Sequence, residues 1–417
     1  MKKVNSINIE KFKSVFVSIN FLTSIDAKNM SKNALLASVM KKGNNTYKSE
    51  KEINRKLAKM YDAVIDISPE KYKDYINFKV QFEFINVDSI SKIDEDEIID
   101  FLVDYITNPK ISDNVFDNNV VEREKIGLIE RIKEEKDNKR KYALSRLDEI
   151  MFEGEDYAAS VLGSEEEIQK LDSKLLYEYY TYLMNNATVV INTAGNLKDY
   201  EDFGDKLYEK LFSVLNRQNI GEVIYKEEAN LKRSEIKEKE EKQQISQSVL
   251  AIGAKINDVT QQDVYSIMVY NQILGGNPAS LMFQNVREKH SLAYFAKSLY
   301  NRQRQTISVF AGIEPKNLEK AKTLMIEQLD IMKKGAFTDT QFTASKDTLI
   351  SAYKECLDVK EELSKLMFTN EMYFGKKVTI DEMIEEIQKV TKQDIVNVSN
   401  KVSVDSIFCL GGEEAHD

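Results

Sequence analysis

The sequence predicts an α+β protein of two homologous domains, each an antiparallel β-sheet covered by α-helices. Three observations lead to this prediction. The chain has 417 residues, which is too long for one hydrophobic core of ordinary size. Several short segments alternate apolar and polar residues, as strands with one buried face do. A block of five letters, EEIQK, occurs at 166–170 and again at 385–389, and a strand pattern follows each copy.

Three segments carry the strand pattern most clearly. In INFKVQFEF (76–84), every second residue is apolar and the residues between them are polar. FKSVFVSINF (12–21) and QTISVFAGI (305–313) look similar. A period of two indicates a sheet with one covered face, which is typical of antiparallel α+β layers rather than doubly wound parallel sheets. Long helical patterns separate these strands, chiefly in 114–152 and 316–375.

The repeated block indicates an internal duplication. EEIQKLDSKLLYEYY (166–180) precedes the strand TVVINTAGN, and EEIQKVTKQDIVNVS (385–399) precedes SVDSIFCLGGE. A duplicated α+β unit explains a match on this scale better than chance does. We therefore predict an N-terminal domain over 1–215, a charged linker over 216–244 and a C-terminal domain over 245–417. The mixed charges of the linker favour a solvated helix or a connector.

Composition narrows the range of functions. The net charge of -10, without a gathered face of Lys and Arg, argues against nucleic acid as a partner. The sequence has no apolar run long enough to span a bilayer and no apolar signal-peptide core, so we expect a cytoplasmic protein without a membrane partner. Cys356 and Cys409 have no metal-ligand spacing. His290 and His416 are the only histidines, which excludes most zinc sites and most nucleophile–histidine dyads.

The segment NQILGGNPASLMFQNVREKHSLAYFAKS (271–298) contains the candidate site. Gly275 and Gly276 predict a tight loop between two helical patterns. Their spacing fits neither the dinucleotide fingerprint nor the P-loop, so a plain helix–helix turn is the alternative to a ligand-binding loop. Arg287 and Tyr294 are seven positions apart, and they would point the same way if one helix ran through both.

The same segment resembles the C-terminal-domain motif of the insulinase/pitrilysin family of zinc peptidases, which includes the mitochondrial processing peptidases. The typical run is a glycine-rich loop and then Ser-x-Leu-Phe-x-x-Val-Arg-Glu-Lys-x-Gly-Leu-Ala-Tyr, and Ser291 stands here where the family usually has glycine. Segments 157–196 and 32–47 are similar to other parts of the family, so the resemblance covers nearly the full chain. The matching positions of the motif are Gly275, Gly276, Ser280, Phe283, Val286, Arg287, Glu288, Lys289, Leu292, Ala293 and Tyr294.

The first long helix departs from the family. Active relatives carry His-x-x-Glu-His there, and the two imidazoles bind zinc while the glutamate acts as general base. Counted back from a retained lysine–glycine pair, these positions fall on Ala34, Ala37 and Ser38, which cannot bind a metal or move a proton at neutral pH. The downstream glutamate ligand aligns with Arg131, with Glu130 one residue away. We therefore expect no metal or other cofactor in this chain.

The resemblance implies roles for the residues that remain. In the family, the Arg and Tyr donate hydrogen bonds to the substrate carbonyl beside the zinc. We accordingly assign catalytic roles to Arg287 and Tyr294. We assign substrate binding to the loop residues Gly275, Gly276 and Asn277. The structural alternative is that Arg287 caps a helix and Tyr294 only packs.

The resemblance also implies a partner. Bacterial members of this kind work as two-chain enzymes, in which one subunit carries zinc and the other supplies the Arg–Tyr pair. This chain fits the second role, with a homologous zinc-binding subunit as its partner, zinc held by that partner, and a clamshell chamber between the two. A peptide substrate would lie extended against a sheet edge. The main alternative is a non-catalytic scaffold subunit, and a further one is a self-sufficient metallopeptidase with unusual ligands.

Overall fold

Two packing units make up the computed structural model, which describes residues 4–86, 94–217 and 235–412. Each unit is discontinuous and takes in a stretch that the sequence assigns to the other half. The predicted domain boundaries describe the duplicated copies and stay a prediction. No helix in the described ranges is long and apolar enough to cross a bilayer. The first unit comprises Met1–Glu134, Ala159–Tyr225 and Asp358–Lys376, and the second comprises Glu135–Ala158, Lys226–Leu357 and Lys377–Asp417.

The elements alternate along the described chain as the sequence predicts. The strands are β1 Val4–Asn8, β2 Ser14–Ser24, β3 Val64–Tyr72, β4 Tyr75–Ile85, β5 Ile111–Ser112, β6 Val115–Phe116, β7 Thr188–Gly195, β8 Lys237–Gln243, β9 Ser248–Ile256, β10 Ala293–Asn301, β11 Thr306–Ile313 and β12 Val402–Gly412. The helices are α1 Ala27–Met40, α2 Glu50–Lys59, α3 Glu95–Thr107, α4 Asn118–Asp137, α5 Lys139–Met151, α6 Glu165–Lys170, α7 Ser173–Asn186, α8 Phe203–Val214, α9 Asp263–Asn271, α10 Leu318–Lys333, α11 Asp339–Cys356, α12 Lys360–Phe374, α13 Ile380–Lys389 and α14 Lys392–Lys401. Two π-helical segments, Gln272–Gly276 and Met282–Lys289, follow α9, and short 3₁₀ turns lie at Asp156–Ala158 and Pro315–Asn317.

The two five-stranded sheets have the same topology. Their strand orders are β1-β7-β2-β4-β3 and β8-β12-β9-β11-β10. The predicted α+β class with two homologous domains is therefore confirmed. One detail is wrong, because β1 pairs with β7 and β8 pairs with β12 in parallel, while the other neighbouring pairs are antiparallel. Alternation along one strand reports its buried face and not the direction of its neighbour.

The duplication extends to one lysine in each unit, buried in the first and half-buried in the second. In the first unit, Lys125 of α4 donates to two backbone carbonyls at the end of α6, at 3.2 and 2.8 Å. In the second unit, Lys346 of α11 donates to two carbonyls at the end of α13, at 2.6 and 2.9 Å. Burial lowers the pKa of the Lys346 ammonium. Both lysines satisfy carbonyls that the end of a helix leaves without partners. They do so at the two EEIQK copies.

The second face of the first sheet is covered, although many of its side chains are polar. The sequence predicts one covered face, and this is wrong for the region where α12 lies on β2 and β7. Asn77 and Lys79 are only 0% and 9% exposed. Asn77 Nδ2 donates to Asn20 Oδ1 at 2.9 Å, and Ser18 Oγ lies 3.3 Å from Ser364 Oγ of α12. Phe368 and Met372 of α12 also pack on Leu22 and Val190. A mixed polar and apolar contact with a distant helix is not predicted by the period-two pattern of one strand.

The predicted charged linker, 216–244, is partly a strand. Residues 218–234 lie outside the described ranges, so the structure does not test the first part of the linker. The second part contains β8, which pairs with β12 and has mostly exposed side chains. The prediction of a helix or connector is therefore wrong for Lys237–Gln243. A run of alternating Lys and Glu suits an edge strand, because charged side chains discourage pairing with another chain.

Candidate functional site

The first part of the candidate site is α1, which carries the three degenerate zinc-motif positions. α1 begins after Asp26, whose side chain accepts from the backbone N–H of Lys28. Ala34, Ala37 and Ser38 are 1%, 2% and 7% exposed. Across the described ranges, no three His, Cys, Asp or Glu side chains cluster closely enough to hold a metal ion. Ala34 and Ala37 therefore pack in the core, and Ser38 contributes a hydroxyl group.

An arginine meets that hydroxyl. Arg131 of α4 donates from Nη2 to Ser38 Oγ at 2.6 Å, and Ser38 Oγ donates to the carbonyl of Ala34 at 3.1 Å. The structure therefore brings together two positions that the sequence aligns with metal ligands. Glu130 is exposed and makes no hydrogen bond or ion pair with the described residues. A guanidinium at Ser38 repels a divalent cation.

The second part of the candidate site is the π-helical segment Met282–Lys289, which carries Arg287. Met282 and Val286 are buried and anchor the segment. The Arg287 side chain is 42% exposed, its guanidinium carbon lies 4.5 Å from the centre of the Phe283 ring, and Nε is 3.6 Å from Glu288 Oε1. Stacking on Phe283 orients the guanidinium and leaves its N–H donors accessible. No hydrogen bond joins Arg287 to a described carbonyl, so it does not cap a helix there.

Tyr294 lies on β10, at the edge of the second sheet, and is the extra residue of a β-bulge. Ala293 pairs with Ile313 and Phe295 pairs with Gly312, so Tyr294 has no opposite residue. Its side chain is 56% exposed, and its hydroxyl makes no hydrogen bond with the described residues. Bulges commonly redirect a side chain beside a functional site. The exposed phenol contradicts the alternative in which Tyr294 only packs.

Arg287 and Tyr294 do not share a helix. The π-helical segment ends at Lys289, and Tyr294 already belongs to β10, so the spacing argument from one continuous helix is wrong. Ser291 turns the chain between these elements with φ +49°. This is the left-handed region that glycine adopts without strain, and the family has glycine at this position. Ser291 thus adopts a left-handed conformation that usually favours glycine.

Replacement of Ser291 by glycine should therefore stabilise the protein. A left-handed conformation costs a non-glycine residue about 1–2 kcal/mol, which exceeds the roughly 0.5–1 kcal/mol of extra backbone entropy that glycine loses. We expect Ser291→Gly to raise the free energy of unfolding by about 0.5 kcal/mol or more. Urea unfolding followed by circular dichroism measures this, with Ser291→Val as a control that should be less stable than the parent. A less stable Ser291→Gly variant would show that the turn is unstrained.

The glycine pair permits the loop before Arg287 to approach β10. Gly275 is buried, and a Cβ there would lie 2.5 Å from the backbone nitrogen of Ser298. Gly276 is exposed, and a Cβ there would meet the end of the Gln272 side chain at 2.4 Å. Position 275 therefore requires glycine, because backbone atoms of β10 leave no room for a Cβ, whereas the flexible Gln272 side chain could move away from a Cβ at position 276. A substrate-binding role for the two glycines stays a prediction that rests on their backbone groups.

Asn277 braces the loop with its side chain. Its Nδ2 donates to the carbonyl of Gln272 and to Ser345 Oγ, both at 3.1 Å, and its Oδ1 accepts from the backbone N–H of Ala279 at 2.8 Å. Both amide hydrogens are therefore used within the protein. The side chain of Asn277 stabilises the loop. Its predicted role in substrate binding stays a prediction and would involve its backbone groups.

Two features of this region were not predicted from the sequence. The chain leaves α9 and passes through two π-helical segments, a geometry that recurs at functional sites. Tyr270 Oη, Asn271 Oδ1 and Gln272 Oε1 are buried where the first of these segments begins, and they have no hydrogen-bond partner among the described residues. Such atoms are rare in folded proteins and concentrate where function constrains packing. Helical periodicity does not distinguish a π turn from an α turn over so few residues.

Comparison with known proteins shows what the chain is similar to. A family model described as "Peptidase M16 inactive domain" matches residues 170–349. The Bacillus subtilis protein "Probable inactive metalloprotease YmfF" is 26% identical over 418 residues, which cover 98% of this chain and 95% of that protein. Residues 170–349 are thus similar to the inactive domain of M16 peptidases, and nearly the whole chain is similar to an inactive metalloprotease. The chain lacks the His-x-x-Glu-His motif and retains the Arg–Tyr motif.

Further proteins and solved structures are similar to most of the chain. "Uncharacterized zinc protease YmxG" of Bacillus subtilis is 24% identical over 291 residues, or 69% of each chain. A conserved protein from Enterococcus faecalis V583 superimposes with a TM-score of 0.89 at 25% identity, over 99% of this chain and 97% of that one. The "peptidase M16 inactive domain" from Pseudomonas fluorescens gives 0.79 at 17% identity, over 100% and 97%. At that identity the likeness shows the fold alone.

Proposed function

We propose that this chain is the non-zinc-binding subunit of a two-chain zinc peptidase. It supplies Arg287 and Tyr294, which bind and polarise the scissile carbonyl of a peptide at the zinc site of a homologous partner. One contrast carries the proposal. The Arg287 guanidinium and the Tyr294 hydroxyl are exposed and available as donors, while Arg131 lies against Ser38 where the family holds zinc.

The two donors suit the chemistry of peptide hydrolysis. Attack of water on a peptide carbonyl places negative charge on the carbonyl oxygen, and preorganised donors stabilise that charge without reorganising. Arg287 offers a planar guanidinium with several N–H donors, and its contact with Phe283 limits its orientations. Tyr294 can donate its phenolic proton because no described residue uses it. The pair can therefore stabilise the oxyanion but cannot activate a water molecule.

The metal has to come from the partner. Zinc in a hydrolytic site needs about three N or O ligands and one open position. Ala34 and Ala37 offer none, and the hydroxyl of Ser38 is engaged by Arg131. These residues do not fit zinc, and no step of the reaction is assigned to them. A homologous subunit with intact His-x-x-Glu-His would supply both the zinc and the general base.

The edge of the second sheet suits an extended peptide. Among the strands that the structure describes, β10 pairs only with β11, so one row of its backbone groups faces away from the sheet. An extended peptide can add to such an edge through main-chain hydrogen bonds. Tyr294 lies at the bulged end of this edge, and the segment that carries Arg287 packs against β10. We therefore assign peptide binding to this edge, next to the Arg–Tyr pair.

Reconstitution with the partner tests the proposal. The chain and a zinc-motif homologue from the same organism are purified separately, and each is assayed alone and mixed on an internally quenched peptide. We expect cleavage only in the mixture, with zinc recovered only from the homologue. A homologue that cleaves at the full rate alone would favour the scaffold alternative. A homologue whose motif glutamate is changed to glutamine controls for contaminating peptidases.

A further inference from the structure

A group of exposed cations surrounds the edge strand β10. Lys297 lies on β10 itself, Arg287 and Lys289 lie on the π-helical segment that packs against it, and Arg140 reaches it from α5. We call Arg140, Arg287, Lys289 and Lys297 the β10 cationic surface. All four are exposed. They belong to the second unit, in a chain whose net charge is -10.

Most cations of the β10 cationic surface have no ion-pair partner among the described residues. Arg140, Lys289 and Lys297 form no ion pair with any residue in the described ranges. Glu288 is the carboxylate among them, and it lies 3.6 Å from Arg287 Nε. Elsewhere in the chain many lysines lie beside a carboxylate, as Lys401 does beside Asp263 at 2.7 Å. Unpaired like charges on one surface repel one another, and an acidic ligand relieves that repulsion.

The cations are aligned with the direction that a peptide would take. Arg140 lies over the Phe295 ring at 6.0 Å, and side chains two residues apart on a strand share a face, so Lys297 is on the same face as Phe295. Phe295 and Lys297 follow Tyr294 along β10. A peptide paired with this edge, with its scissile carbonyl near Tyr294, would therefore pass Arg140 and Lys297 within a few residues of that bond.

We propose that the peptide bound here is acidic, with Asp or Glu side chains beside the scissile bond that contact Arg140 and Lys297. This inference rests on the proposed function and names its substrate class. Opposite charges at an exposed surface raise the association rate and select among peptides more than they raise overall affinity. Arg287 and Tyr294 then bind the carbonyl common to all peptides. Arg140 and Lys297 are the specificity-determining residues.

Charge-reversed variants test this inference in the reconstituted two-chain enzyme. Three labelled peptides of one length are used, in which alanine alternates with Glu, Lys or Ser. We expect the Glu peptide to have the highest kcat/KM at about 0.05 M salt and to lose most of its advantage at about 0.5 M. Arg140→Glu/Lys297→Glu should lower kcat/KM for the Glu peptide about tenfold and raise it for the Lys peptide. The Ser peptide should change little.

A matched control makes the same charge change elsewhere. Lys354 is an exposed lysine on α11 without an ion pair in the described ranges, and Lys354→Glu should leave the order of the three peptides unchanged. Equal kcat/KM values for the three peptides, or a loss for all of them in the double variant, would overturn the acidic preference. Competition by a single-stranded oligonucleotide as strong as that by the Glu peptide would also overturn it, in favour of a general polyanion site.

Failure of this inference can be told apart from failure of the proposed function. If Arg287 does not act on the carbonyl, Arg287→Ala leaves kcat/KM unchanged for every peptide. If only the acidic preference is wrong, Arg287→Ala lowers kcat/KM for all three peptides alike, while the Arg140→Glu/Lys297→Glu variant does not reorder them.

Discussion

Arg287→Ala is expected to lower the kcat of the assembled two-chain peptidase by about 100- to 1,000-fold, the range found when one oxyanion donor is removed from a hydrolase. The substrate KM should change much less, because the donor acts mainly on charge that develops after binding. The folded state should be unaffected, since the side chain is 42% exposed and lies beside Phe283 and Glu288. Steady-state kinetics on a quenched peptide gives both parameters.

Two controls separate catalysis from structure. Tyr294→Phe removes one hydroxyl that has no partner in the described ranges, and it should lower kcat without altering thermal unfolding. Arg302→Ala removes another arginine of the same unit, in the turn after β10, and is expected to leave kcat near that of the parent. An Arg287→Ala enzyme with the parent's kcat would rule out the proposed catalytic role.

A zinc site should reappear when the lost ligands are restored, provided that Arg131 is removed. Ala34→His, Ala37→Glu and Ser38→His recreate two imidazoles one turn apart on α1 with a carboxylate beside them. With Arg131→Glu as the third ligand, the four changes are expected to give about one bound zinc per chain after dialysis. Atomic emission on the purified variant measures the metal, and circular dichroism verifies that α1 is still folded.

The three α1 changes without Arg131→Glu provide the critical comparison. Arg131 Nη2 contacts residue 38 at 2.6 Å in the parent, so its charge would remain beside the new imidazoles. We expect that variant to hold little zinc, because the guanidinium repels the metal. Arg123→Glu, on the same helix, should not replace Arg131→Glu. Equal zinc in the variants with and without Arg131 would show that Arg131 does not exclude the metal.

Local patterns predicted much of the fold. The alternation in 76–84 identified the apolar side of β4, and Phe78, Val80 and Phe82 are fully buried in the first core. The EEIQK copies predicted two related units, and Lys125 and Lys346 occupy equivalent places in them. These features depend on residues close in sequence, and the period of burial records them directly.

The sequence patterns did not predict two long-range features of the fold. α12 covers a polar face of the first sheet, and β8 joins the second sheet as a parallel edge strand. Both depend on segments far apart in the chain, and neither the asparagines that α12 covers nor the Lys–Glu run of β8 has the apolar pattern of a buried surface. Hydrogen bonds contribute to both contacts, and in the α12 contact they accompany an apolar cluster of Leu22 and Val190 with Phe368 and Met372.

The sequence predicted which residues form the candidate site but not their geometry. The motif identified Arg287, Tyr294 and the degenerate positions on α1, and alignment suggested Arg131. It did not predict that Tyr294 occupies a bulge, that Ser291 takes a left-handed turn, or that Asn277 uses its amide to brace the loop. These details depend on which backbone N–H and C=O groups lack a partner once each unit has folded. A single stretch of sequence does not specify those groups.

Zinc stoichiometry measured together with peptide cleavage tests the central claim most directly. The account predicts no zinc and no hydrolysis for this chain purified alone, and one zinc per pair of chains in the active mixture, bound by the partner. One zinc per chain in the isolated protein, with hydrolysis that needs no partner, would contradict it.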